Sequence, residues 1–196
     1  MPCLLLFQLS THAPYFCYMN EQLLFSYAVI EDAPELVKLV NSAYRGEASR
    51  KGWTHEADLI GGTIRIDETS IIQTIQEPSS VIVKCVNNEK QIVGCVHLEK
   101  QDEQLYLGML SVNPEMQAHG IGRKLLQAAE QYAKDVNCNS IIMTVISVRS
   151  ELIAWYNRNG YRETGIRKPF PNDPRFGTPV RPLEFVVLEK SLTAEQ

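Results

Sequence analysis

The hydrophobic and polar positions fall into short runs whose period changes along the chain. Residues 25–30 form a β-prone run that predicts a first strand. Leu36, Leu39, Val40 and Ala43 then share one helical face, and Asp32 ahead of Pro34 reads as the N-cap. That helix is expected to end at Arg45-Gly46-Glu47. Residues 48–62 are polar around Trp53, with a turn of helix at 57–60, and 67–76 predict a short helix with Ile71, Ile72 and Ile75 inward. Residues 80–86 and 91–100 read as a hairpin about the turn Asn87-Asn88-Glu89-Lys90. Alternation sets Val96 and Leu98 on one face of its second strand and Cys95, His97 and Glu99 on the other. Residues 105–112 continue the meander until Asn113-Pro114 breaks it.

The longest helical pattern follows, with Ile121, Leu125, Ala129 and Ala133 spaced by four and Leu126 and Tyr132 widening the stripe. Asn137-Cys138-Asn139 ends it, and 141–146 read as a buried strand. Ser150 is expected to cap a helix through Asn159, with Gly160 as its C′ residue. Residues 161–165 predict a strand, 168–182 a loop rich in Pro and aromatics, and 183–188 the last strand. The resulting order, β-α-α-β-β-β-α-β-α-β-β, is a mixed α/β domain without repeats.

At 196 residues, 44% hydrophobic and 21% charged, the chain has material for one full core. Its net charge of −4 argues against a nucleic-acid partner. Five cysteines, an odd number without metal spacing, are read as free thiols in a reducing, cytoplasmic setting, and no metal is expected. Residues 1–18 hold Leu4-Leu5-Leu6-Phe7 but no Lys or Arg, the first being Lys38. They suit neither a secretory signal nor a membrane span. The expected division is an N-terminal extension over 1–23 and a domain over 24–193, with Met19 as an alternative start.

Chemistry concentrates between the third predicted meander strand and the long helix, at Gln117-Ala118-His119-Gly120-Ile121-Gly122. Glycines there let a ligand approach the backbone, and a helix opening at such a loop aims unpaired N–H groups and its positive dipole end outward. That arrangement suits an anion. Arg123 and Lys124 stand in the first turn, where the dipole disfavours cations by about 0.3–1 kcal/mol each unless an anion reverses the sign. The loop lacks Gly-Lys-Ser/Thr and a third glycine, which excludes the usual nucleotide fingerprints.

The hexapeptide resembles the Gln/Arg-x-x-Gly-x-Gly/Ala signature of the GNAT superfamily of N-acetyltransferases. Trp155-Tyr156-Asn157-Arg158-Asn159-Gly160-Tyr161 resembles the second motif of that superfamily, at the right distance downstream. The resemblance covers roughly residues 27–192. It implies a mixed α/β fold whose central sheet is splayed and flanked by helices, the acyl-coenzyme A N-acyltransferase fold. Acetyl-coenzyme A is the implied co-substrate. The resemblance implies that Gln117, Ala118, His119, Gly120, Ile121, Gly122 and Arg123 hold its pyrophosphate. Leu110, Ser111 and Val112 are the implied hosts of its pantetheine arm, with the Val112 N–H available to the thioester carbonyl. Tyr156 is the implied donor to the departing sulfur; the bland alternative is a core tyrosine.

The general base is open. The position where several members carry Glu or His is Tyr106, which leaves Glu99, His97, or water reaching His55 or Glu56. Arg149 replaces an Asn common among members and suits a coenzyme phosphate, an acceptor carboxylate or plain solvent. Trp53 either shapes the acceptor pocket, facing Phe170 and Phe176, or plugs the core. The expected acceptor is a small-molecule amine, with a peptide acetyltransferase or a non-catalytic coenzyme A-binding module as alternatives. No nucleic acid and no membrane partner is expected; a second copy of the chain, as a homodimer, is.

Overall fold

The computed structural model describes residues 23–171 and 177–193. Expectations resting on Cys3, Cys17, Met19 and Phe176 lie outside them. The first strand, β1 (Leu23–Tyr27), is followed by α1 (Ala33–Tyr44) and a single turn, α2 (Gly46–Ser49). A two-residue strand, β2 (Ile60–Gly61), precedes α3 (Glu68–Gln76), whose N-cap Asp67 accepts from the Ser70 N–H. The meander is β3 (Ser80–Asn87), β4 (Ile92–Gln101) and β5 (Gln104–Val112). Then come α4 (Ile121–Asp135), β6 (Ser140–Ile146) and α5 (Ser150–Arg158). The chain finishes with β7 (Arg162–Pro169), β8 (Thr178–Pro179) and β9 (Glu184–Ser191).

Seven strands make one sheet in the order β1-β3-β4-β5-β6-β9-β7, and β2 pairs separately with β8. Neighbours run antiparallel except β5 and β6, which are parallel. Apolar side chains on one face, Val96, Leu98 and Leu107 among them, pack against Leu125, Leu126 and Ala129 of α4 and Ile153 of α5. Cys95 and Ile82 on the other face pack against Leu36 and Val40 of α1 and Ile71 of α3. The expected alternation along β4 is thus present, and both faces are covered.

The sheet opens at its centre. The β5–β6 ladder ends at Tyr106↔Ile142, although β5 runs on to Val112 beside β4. Met109 has φ 51° where the β4–β5 register slips, which marks a bulge. Beyond Tyr106 the outward main chain of β5 is left without a strand partner. Since Asn113 N–H bonds Val93 C=O, strand alternation turns the Val112 main chain away from β4 and into the gap.

Several sequence expectations are corrected at the elements. Arg149, not Ser150, is the N-cap of α5. Residues 57–59 form a turn that leads into β2 rather than a helix. β7 runs four residues past Gly165, which sits in a bulge at φ 83° and reads from sequence as a stop. All eight β7 residues are exposed, so no alternation betrays the strand, and at the sheet edge Pro169 forfeits no ladder bond. The supposed 168–182 loop therefore starts in a strand and contains β8. β1 begins at Leu23, within the stretch expected as an extension. Among the described residues, no helix is long and apolar enough to cross a membrane, and no cluster of His, Cys, Asp or Glu could hold a metal.

Candidate active site

A cavity of about 390 Å³ lies where the central gap meets the start of α4. Leu110 and Val112 of β5 form one wall. Gln117, Ala118, Gly120, Ile121, Gly122 and Arg123 form the rim. Tyr156, Trp155 and Leu152 of α5 close the opposite side, with Tyr44 and Trp53 between. The cavity is within the usual range for small-ligand sites, about 300–1,000 Å³.

The rim is built for an anion. Gly120 is the N-cap of α4 at φ 78°, and no side chain caps the helix. The first bond of the helix runs from Lys124 N–H to Gly120 C=O at 3.1 Å. The N–H groups of Ile121, Gly122 and Arg123 thus precede the ladder. The first turn holds no acid. Close approach of α4 to the sheet relies on Gly94, where a Cβ would come within 2.9 Å of Ile121 Cγ2.

Two residues expected to bind the coenzyme lie outside the cavity lining. Ser111 is buried on the other side of β5, its hydroxyl donating to Met109 C=O at 3.0 Å. His119 is exposed, and its Nδ1 lies 2.9 Å from Gln117 C=O, so its ring braces the loop itself. Neighbours in sequence need not share a face: in a strand they alternate, and in a tight turn one side chain folds back. Lys124 also turns away, toward Cys85 on β3, whose thiol burial pushes up to about 12 against the pull of that lysine.

Tyr156 is buried, ring edge-on to Trp155 and to Tyr161. Burial, reinforced by Tyr44 and Tyr161, raises its pKa well above the ordinary 10, against the opposing pull of Arg149. Its hydroxyl has no hydrogen-bond partner among the described residues. Trp155 is part of the cavity wall, and its ring lies 3.4 Å from where a Gly122 Cβ would stand.

Trp53 is not a core plug. It is 45% exposed and sits edge-on to Trp155 at 6.1 Å between centroids. Its N–H donates to Gln117 Oε1, whose amide in turn donates to Thr54 Oγ1. With the Lys51–Glu115 ion pair, these bonds strap the 51–54 segment across the rim. Phe170 stacks on Phe185 at 5.2 Å rather than facing Trp53. The two segments meet lower down, through β2–β8 and the Val180 N–H to Leu59 C=O bond.

The residues weighed as a base separate clearly. Glu56 is buried and its Oε2 is shared by Arg45 and Arg65, the latter at 2.8 Å. Burial alone would raise its pKa, but Arg65 and Arg45 outweigh that and hold it below the usual carboxylate range. It is an ion-pair anchor, already occupied. His55 Nδ1 lies 4.0 Å from Asp58 and lines no part of the cavity. His97 is the cross-strand partner of Gly108, next to the bulge. Its Nε2 is 2.7 Å from Ser80 Oγ, its ring is edge-on to Tyr106, and burial lowers its pKa despite Glu99. Sequence reasoning did not single out Tyr44, whose hydroxyl crosses from α1 to donate to Leu110 C=O in the cavity wall. Its one signal in the sequence is its place on the apolar face of α1, four residues past Val40.

A splayed mixed sheet with an uncapped helix N-terminus at the opening defines a mixed α/β class with an anion-suited cavity at its centre. The acetyltransferase (GNAT) family model matches residues 34–161, and the chain belongs to that family. Human N-acetyltransferase 8B is 23% identical over 123 residues, 60% of this chain and 53% of its own length. The chain spans about half the length of the curated relatives it matches. Among solved structures, the ribosomal-protein-S18-alanine N-acetyltransferase from Escherichia coli superposes with a TM-score of 0.65 at 15% identity. That match covers 89% of this chain and 96% of the other. YncA from Salmonella typhimurium, solved with its cofactor acetyl-CoA, superposes with a TM-score of 0.63 at 16% identity, over 89% and 96% of the two chains. These likenesses show the acyltransferase fold.

Proposed function

We propose that the protein is an acetyl-coenzyme A-dependent N-acetyltransferase whose acceptor is the primary amine of a small molecule. The observation that carries this is the meeting of three parts at one cavity: the uncapped α4 N-terminus, the unpaired edge of β5, and the Tyr156 hydroxyl. When bound, acetyl-coenzyme A supplies an activated acetyl thioester.

The residues divide the work. The Ile121, Gly122 and Arg123 N–H groups and the Arg123 side chain receive pyrophosphate at the rim. Leu110 and Val112 offer main-chain bonds to an extended amide arm in the gap, as a strand would. The Val112 N–H polarises the thioester carbonyl. In the overall change a bond forms between amine nitrogen and acetyl carbon, and the carbon–sulfur bond breaks. The amine gives up a proton and the sulfur leaves as a thiolate. With its raised pKa, Tyr156 holds its proton and donates a hydrogen bond to that thiolate. The amine gives its proton to water in the cavity; His97, which burial keeps neutral, is the basic group nearest the bulge but lies off the cavity lining.

The strap of Trp53 over the rim and the β2–β8 clasp narrow the acceptor side, which favours a metabolite over a peptide. The buried free thiols Cys85, Cys95 and Cys138 accord with a cytoplasmic location. The test is thiol release from acetyl-coenzyme A across a panel of small amines and short peptides. Small amines are expected to react. Peptide-only turnover overturns the acceptor class, and no coenzyme binding overturns the activity.

A further inference from the structure

Beside the cavity, three arginines gather around a single carboxylate among the described residues. Arg45 at the end of α1, Arg65 before α3 and Arg149 at the N-cap of α5 converge on Glu56. Glu56 Oε2 already serves both Arg45 and Arg65. Asp58 is taken by Arg50 at 2.8 Å. Arg149 is 8% exposed and caps α5, where the helix dipole adds to its positive charge; its one side-chain bond among the described residues is a long 3.4 Å contact to Trp53 C=O. Among the described residues, Arg65 and Arg149 thus meet a carboxylate oxygen that is already shared, and burying charge without a full counter-charge is costly unless an anion joins it.

This charge is aimed. Arg65 lies 4.1 Å from the centroid of the Tyr44 ring, and the hydroxyl of that ring reaches Leu110 C=O in the cavity wall. One aromatic ring thus separates the guanidinium from the Leu110 main chain, two residues from the Val112 N–H that is to meet the thioester carbonyl. Asn41 of α1 fixes the approach: its Oδ1 accepts from the Arg65 and Ile66 N–H groups and its Nδ2 donates to Ile66 C=O. The Arg65 side chain is 30% exposed, so an anion can reach it from solvent. The coenzyme phosphates are received elsewhere, at the α4 rim, which leaves the acceptor as the source of the anion.

Resting on the acetyltransferase reading, we propose that the amine acetylated here carries its own carboxylate close to the nitrogen, as an amino acid does, and that Arg65 and Arg149 receive it. The planar fork of arginine suits bidentate capture of a carboxylate, and the charge-assisted bonds would fix the amine relative to the thioester.

The experiment measures thiol release with the twenty common amino acids, each paired with its own amide, and measures coenzyme A binding separately by thermal shift. Amino acids are expected to exceed their amides by about ten- to a hundredfold in kcat/KM, the size of one charge-assisted contact pair. Arg149→Gln is expected to erase that preference by raising KM far more for the acid than for the amide, with coenzyme A binding retained. Arg65→Lys, which keeps the charge beside Glu56 and loses the fork, is expected to reduce the preference part of the way. Equal or better turnover of the amides overturns the proposal, as does a panel in which no amino acid reacts. Retained coenzyme A binding in either case leaves the acetyltransferase reading standing, and absent binding removes that reading itself.

Discussion

At Tyr156 the burial that fixes the ring also fixes the proton. A phenol with a pKa well above 10 stays protonated at any working pH, so in the proposed mechanism it donates a hydrogen bond rather than delivering a proton. Tyr156→Phe keeps the ring against Trp155 and Tyr161 and removes only the hydroxyl. It is expected to lower kcat by about 10²–10⁴ while leaving the coenzyme dissociation constant and the melting temperature close to wild type. Unchanged turnover with chemistry rate-limiting, or loss of stability alone, would make Tyr156 a packing residue. Glu56 is the opposite case, a buried carboxylate whose duty is structural. Its folded-state pKa lies below the unfolded value of about 4.3, so its stabilisation is present above that value and is lost as pH falls through the folded pKa. Glu56→Gln leaves Arg45 and Arg65 facing an uncharged amide and is expected to cost about 3–5 kcal/mol at neutral pH. In acid the gap between variant and wild type should narrow, and urea melts at pH 7 and pH 3 measure it. A gap that stays constant would show that the charge of Glu56 is not what matters.

Among the elements, the clasp between β2 and β8 ties the two segments that flank the acceptor side, and it hangs on Gly177. That residue has φ 85°, and a Cβ there would stand 2.5 Å from Gly61 C=O and 2.6 Å from Ile60 Cγ2. Gly177→Ala is therefore expected to open the clasp at a local cost of about 1–3 kcal/mol. Amide exchange at Val180, whose N–H bonds Leu59, should accelerate, while coenzyme affinity stays the same. Protection at Val180 equal to wild type would show that the clasp adapts. This element was invisible in the sequence for a physical reason: strands of two residues have no period to read. The second half of the exposed β7, past Gly165, escaped likewise, because alternation records burial and β7 has none. The helices α1, α3 and α4 and the β3–β5 meander were legible because each packs one apolar face on the sheet. The site divides the same way. The glycine-bearing loop and Tyr156 are contiguous motifs that a linear reading finds. Tyr44, Arg65 and the pairing of Trp53 with Trp155 come from segments far apart in the chain, and only the fold joins them. The face of Ser111 and the fold-back of His119 depended on a bulge at Met109 and a tight turn whose side-chain directions a linear reading does not give.

For the whole molecule, the central gap must cost stability that a ligand can restore. Beyond Tyr106 the outward edge of β5 has given up the strand pairing that the rest of the sheet keeps, and the α4 N-terminus has no capping side chain. A coenzyme that spans both would supply strand-like bonds at one end and a counter-anion at the other, and it would do so only in the folded state. Mass action then sets the scale: a ligand at about a hundred times its Kd adds about 2.7 kcal/mol. For a chain of this size each kcal/mol moves the midpoint by about 2–4 °C, so acetyl-coenzyme A should raise Tm by about 5–10 °C. NAD and ATP present phosphates without a pantetheine arm, and neither should approach that shift. Gly122→Glu sets a carboxylate beside the Trp155 ring, which lies 3.4 Å from the position of a Cβ at residue 122, at the place proposed for phosphate. The variant should fold, because residue 122 faces the cavity rather than the core, and should lose the coenzyme-induced shift. If millimolar acetyl-coenzyme A leaves Tm unmoved in the wild type, or if Gly122→Glu responds as fully as the wild type, then the α4 rim is not where the coenzyme is held.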